Sequence, residues 1–142
     1  MSSVNAVATQ RFSASSERVY AMWLTPEHIG AWFGPGLGPM TRVDIDARVG
    51  GCFYFVQRRG ETDAAHAGEY LELVPAERIA FTWRVPPDAA EASKVFVDIT
   101  PLGSGCEVTV THEMGAQWAE FVPRGAESWR RMLEAMSNAL AA

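Results

Sequence analysis

The sequence predicts a segregated α+β fold, a curved antiparallel sheet of about six to seven strands with one long C-terminal helix laid across it. Three observations lead there. Two short capped helices follow the first strand, apolar residues then alternate with period two through a run of hairpins, and the chain finally returns to helical spacing. At 142 residues the chain is read as a single domain spanning 1–142, long enough to bury roughly two thirds of the surface it exposes unfolded.

VATQRF opens as a strand. Ser15 or Ser16 caps a helix whose Val19, Met22 and Trp23 follow the i, i+3, i+4 spacing. Thr25 is the next N-cap, Pro26 suits the first helical position and Glu27 complements the positive helix terminus. Ile29, Trp32 and Phe33 make the apolar face of this second helix, and Pro35 pushes Gly34 out of the helical region, so GPGLGPM reads as a mobile loop. From Thr41, TRVDIDARVGG and CFYFV form a hairpin about Gly50-Gly51. RRGETDAAHAG reads as polar turn material. EYLELV and RIAFTWRV pair about Pro75-Ala76-Glu77, with Ile79, Phe81, Trp83 and Val85 on one face. PPDAAEAS is a loop, and KVFVDIT and CEVTVTHE flank PLGSG, with Val95, Val97 and Ile99 on one face and Val108, Val110 and His112 on another. In the tail, Val122, Ala126, Trp129, Leu133, Met136 and Leu140 share a stripe with Met132 beside it. Trp118 and Phe121 keep that phase, but Pro123 demands a kink or restart.

The formal net charge of −5 opposes nucleic acid and anionic membranes as partners, since both reward an excess of Lys and Arg. MSSVNAVATQRFSASSERVY has no basic flank before an apolar segment, and no apolar run reaches membrane-spanning length, so a cytoplasmic location is the expectation. Cys52 and Cys106 have no metal-ligand spacing and read as two small buried hydrophobes.

The blocks AMWLTPEHIGAWFGP, VDIDARVGGCFYF, GEYLELVPAERIAFTW and VFVDITPLGSGCEVTVTHE, followed by Ser128-Trp129, cover nearly the whole chain. In this order they resemble the SRPBCC (START-like, helix-grip) superfamily, and within it the branch named for the activator of heat-shock protein 90 ATPase. Relatives often carry H-x-x-G-W before the late tryptophan, where this chain has Gly125 and Ser128 before Trp129. The R-x-G-G block is kept as Arg48-Val49-Gly50-Gly51. The resemblance implies a helix-grip fold and a domain that holds an apolar small molecule between long helix and sheet. It leaves open a co-chaperone role with a chaperone partner, a cyclase- or hydrolase-type enzyme, and a homodimer.

Catalytic constellations are thin. His28 is expected on a helix surface and His66, at a strand entrance, in solvent. His112 shares its face with Val108 and Val110 and is either a hydrogen-bonded core-edge histidine or a polar pocket group. Asp44 and Asp46 fall on the solvent face. No G-x-S-x-G elbow, phosphate loop or Cys/His cluster is present, so no catalytic residue, metal or cofactor is assigned. Trp32 and Phe33 either close the end of the core or form the movable lid of a ligand cavity. Phe53, Phe55, Phe81, Trp83 and Trp129 are the expected walls, with His112 and Leu133 beside them.

Overall fold

The computed structural model describes residues 3–85 and 91–141. β1 (Ser3–Phe12) leads into α1 (Ser16–Leu24), whose N-cap Ser15 accepts a hydrogen bond from the Arg18 N–H through its Oγ. α2 (Pro26–Trp32) starts directly after Thr25, with Pro26 at its first position, where a missing N–H costs nothing. Five hairpins then build β2 (Met40–Ile45), β3 (Cys52–Arg59), β4 (Thr62–Val74), β5 (Arg78–Trp83), β6 (Ser93–Leu102) and β7 (Gly105–Gly115). A 3-10 helix (Ala116–Phe121) feeds α3 (Val122–Ala141). The seven strands form one antiparallel sheet in the order β1-β7-β6-β5-β4-β3-β2, so the first strand closes against the last and β2 is the far edge.

Alternation places the core. In β6 and β7, Val95, Val97 and Ile99 and then Cys106, Val108, Val110 and His112 point inward. Helix α3 covers that face with Trp129, Met132, Leu133 and Met136. It packs chiefly along β1, with α2 on its other flank, and lies offset from β4 and β5. That offset positions the site.

Several expectations need correcting. RRGETDAAHAG is not a loop: β3 and β4 pair as far as Arg59 with Thr62, leaving only Gly60 and Glu61 to turn, with Gly60 at φ 65°. Pairing with the strong strand CFYFVQRR overrides the weak strand preference of Ala and Gly. His66, expected in solvent, is therefore opposite Phe55 in mid-strand and buried. Cys52 is exposed, because Phe53, Phe55 and Gln57 take the inward positions of β3. Cys106 is buried, and neither cysteine is bonded to another. Val85 lies beyond the end of β5 and is exposed rather than on its buried face. Trp118 and Phe121 are also exposed. They sit in the 3-10 helix, whose three residues per turn break the phase of the α-helical stripe. Pro123 marks a restart, lying in the first turn of α3, where its missing N–H donor breaks no α-helical bond of α3. Residues 86–90 of the expected loop PPDAAEAS lie outside the described residues.

The loop GPGLG is tied down by one side chain. Gln57 is fully buried, and its Nε2 donates to the carbonyls of Gly34 (3.0 Å), Gly38 (2.9 Å) and, at longer range, Phe33 (3.3 Å). Its Oε1 accepts from Arg59 Nε at 2.8 Å. Gly34 adopts φ 51°, and a Cβ there would run into Gln57 Oε1, so the position needs glycine for both reasons. Gln57→Leu is expected to lower stability by about 2 to 3 kcal/mol, because these carbonyls lose their donor and only part of the loop can turn to water. Urea melts measure the loss, and hydrogen exchange should accelerate at residues 34–38 while the β6/β7 amides hold. A loss below about 0.5 kcal/mol would show that the loop is held by something else.

Candidate functional site

The offset between α3 and the sheet leaves an open cleft of about 750 Å³. Phe33, Trp83 and Trp129 form its aromatic interior, and the exposed Leu37, Val85 and Phe121 stand around it. Polar groups are few: His66 from β4, His112 from β7, Arg59 from β3, and Arg124, Glu127, Ser128 and Arg131 from the start of α3. Sites for small apolar molecules have this make-up, an apolar lining with sparse polar groups that fix orientation.

The expected site residues separate into layers. Phe33, Trp83, His112 and Trp129 come together on the cleft. Trp32, Phe53, Phe55 and Phe81 lie behind them, around an inner void of about 20 Å³ that Trp83 and Trp129 also touch, with room for little more than a water. Leu133 is fully buried and lines neither space. Trp32 is fixed there by its indole N–H, which donates to the Met22 carbonyl at 2.9 Å, and by Trp23 at 4.7 Å between ring centroids. Phe33 is as buried as Trp32 yet sits at the boundary, its ring meeting Phe55 behind it and His66 and Trp83 beside it at 5.5, 4.9 and 6.0 Å.

His112 is held in one tautomer. Trp129 Nε1–H can only donate, and it meets His112 Nδ1 at 3.1 Å, so Nδ1 is the acceptor. The ring proton is then on Nε2, which donates to Ser93 Oγ at 2.6 Å, and the Ser93 hydroxyl donates to the Trp83 carbonyl at 3.2 Å. The Trp129 indole, both His112 ring nitrogens and the Ser93 hydroxyl thus bond in a single consistent direction. Burial lowers the His112 pKa to about 4, as expected of a ring whose second nitrogen already accepts a bond. A base needs a free lone pair, and in this arrangement His112 has none to offer a substrate.

His66 differs. Its pKa is lowered to about 4, first by burial and then by the Arg59 guanidinium nearby. The Ala64 carbonyl acts in the other direction without making a well-formed hydrogen bond, and Nδ1 is buried without a partner. The ring is wedged between Phe33 and Trp83, the latter at 5.2 Å. On the same strand, Gly68 leaves space that the Phe53 ring occupies, since a Cβ there would lie 2.6 Å from Phe53 Cζ. Among the described residues, no group of three His, Cys, Asp or Glu side chains could hold a metal ion, and no helix is long and apolar enough to cross a membrane.

Sequence reasoning missed Gln57, Arg59 and His66. One signal was available: His66, Gly68 and Tyr70 alternate in phase, and the histidine and tyrosine share the buried face.

A seven-stranded sheet gripped by a C-terminal helix, with an apolar cleft between them, defines the helix-grip class of the SRPBCC superfamily. The family profile for Activator of Hsp90 ATPase homolog 1-like protein matches residues 13–141, and the chain belongs to that family. Among solved structures, protein CV1439 from Chromobacterium violaceum is 26% identical with a TM-score of 0.83, the match covering 95% of each chain. Protein NE0264 from Nitrosomonas europaea is 20% identical with a TM-score of 0.85, over 97% of this chain and 94% of that one. The Aha1 dimer from Colwellia psychrerythraea, solved in solution, is 17% identical with a TM-score of 0.75, over 96% of both chains. No curated protein matches the chain.

Proposed function

We propose that this protein binds an apolar small molecule in the cleft between α3 and the sheet. The observation that carries the reading is the cleft itself: about 750 Å³ lined by Phe33, Trp83 and Trp129 and rimmed by exposed Leu37, Val85 and Phe121. Apolar side chains left exposed around a concave aromatic surface are the usual mark of a binding groove. The site residues of this reading are Phe33, Trp83, His112 and Trp129 at the cleft, with Trp32, Phe53, Phe55, Phe81 and Leu133 as the packed layer that supports them. His112 contributes by fixing the Trp129 indole, which makes the aromatic surface rigid before a ligand arrives.

The test uses N-phenylnaphthylamine (NPN), a neutral apolar dye that fluoresces when it leaves water. Saturable binding at one site is expected. Ser128 is exposed on α3 at the cleft, so Ser128→Trp should fill the cleft at little cost to the fold. It should weaken NPN about tenfold or more, with a melting temperature close to that of the unaltered protein. Unsaturable dye uptake, or equal affinity in the folded variant, would overturn the reading.

A further inference from the structure

The charges at the cleft are lopsided. The chain carries a formal net charge of −5, yet the cleft is lined by Arg59, Arg124 and Arg131 against Glu127 alone. Glu127 is already committed: its carboxylate accepts from Arg130 at 2.7 Å and from Arg131 at 3.1 Å, and these bonds hold its pKa down to about 2. Arg124 lies at the mouth with its guanidinium 5.8 Å from the centre of the Phe121 ring. Arg59 lies deeper. Its Nε is used by Gln57, while its two terminal nitrogens have no partner among the described residues.

That geometry presents a fork. Nε docked on Gln57 fixes the plane of the Arg59 guanidinium, and the two unused terminal nitrogens match the spacing of a carboxylate. Burial lowers the Arg59 pKa, so the charge is held there at some cost, and a bound anion would relieve it. His66 stands close enough to feel this charge and keeps a buried nitrogen unpartnered. One end of an aromatic cleft is therefore a cation waiting for a counter-charge.

We propose that the cleft takes an organic acid, with an apolar, planar body along Phe33, Trp83 and Trp129 and a carboxylate on the Arg59 guanidinium. The inference rests on the binding reading above and adds the chemical class of the ligand. A cationic cleft on an acidic protein also focuses small anions towards its mouth while the remaining surface repels polyanions.

The test compares dyes that share one apolar body. Anilinonaphthalene sulfonate (ANS) carries an anion and NPN does not. Arg59→Gln should lower the ratio of ANS affinity to NPN affinity about tenfold, since a charge-assisted bond is lost only for the anion. Arg59→Lys should retain most of the ANS affinity. Because Arg59 also touches Gln57, the unaltered protein supplies a second measurement: naphthoic acid should displace NPN at about tenfold lower concentration than its methyl ester. If NPN binds but acid and ester compete equally and Arg59→Gln weakens both dyes alike, the acid assignment is wrong and the binding reading survives. If neither dye binds saturably, both fail.

Discussion

Trp129→Ala should be the most damaging single truncation in this protein. Trp129 is 3% exposed and packs against rings from three different elements, with centroids 6.0 Å from Trp23, 5.7 Å from Trp83 and 6.1 Å from His112. Removing a buried aromatic costs about 3 to 5 kcal/mol, because the surroundings collapse only partly into the space. The change also strands His112 Nδ1, a buried acceptor whose loss of a donor adds about 1 to 3 kcal/mol. Trp129→Phe separates the two effects, keeping most of the packing and removing the N–H. In that variant the His112 pKa, lowered to about 4 by burial, should rise only in part, because the ring stays buried while Nδ1 is freed to take a proton. Denaturant melts and an NMR titration of the imidazole measure both. A Trp129→Ala loss no larger than that of Phe33→Ala, with the His112 titration unchanged in Trp129→Phe, would contradict the account.

Mild acid should destabilise the fold through His66 and His112. Each has a folded-state pKa of about 4 against about 6.5 unfolded, so the unfolded chain takes up the proton first. Their contribution is complete above the unfolded value and is lost as pH falls from about 6.5 to about 4, levelling off once the folded state also protonates. Each histidine carries up to roughly 3 kcal/mol across that window. Between pH 7 and 4.5 the unfolding free energy should therefore fall by several kcal/mol, and His66→Leu should remove about half of the slope. The groups that act on the two rings agree in sign: Arg59 opposes protonation of His66, and the Trp129 N–H opposes it at His112. A stability that is flat over this range would mean that both rings reach water in the folded state.

The parts of this structure that could be read in advance are those where period and chemistry agree. Ser15 and Pro26 start the helices as their side chains dictate, Gly34 turns the chain away after α2 at φ 51°, and Val95, Val97, Ile99, Val108 and Val110 alternate as a half-buried sheet must. The Trp129 stripe identified the inner face of α3 in the same way. What escaped depended on tertiary pairing. The first half of β4 is Ala- and Gly-rich and has little strand signal of its own, so His66 looked like loop until β3 held it in register. Gln57 reads as one polar residue in an apolar strand, and only the returning loop shows which carbonyls it serves. Arg59 follows from Gln57. Trp118 and Phe121 misled because a 3-10 segment shifts phase without leaving a mark in the sequence.

The central claim is that the cleft, and not the inner aromatic layer or the outer surface, receives an apolar molecule. The most direct measurement is a two-dimensional NMR titration of the labelled protein with NPN, following backbone amides and the five indole N–H signals. Saturable shifts should concentrate at the Trp83 and Trp129 indoles and at the amides of Gly34, Gly125 and Ser128, which meet only at the cleft, while the Trp32 indole stays in place on the Met22 carbonyl. Shifts confined to Trp118 and the 3-10 helix, or no saturable shift at all, would contradict it.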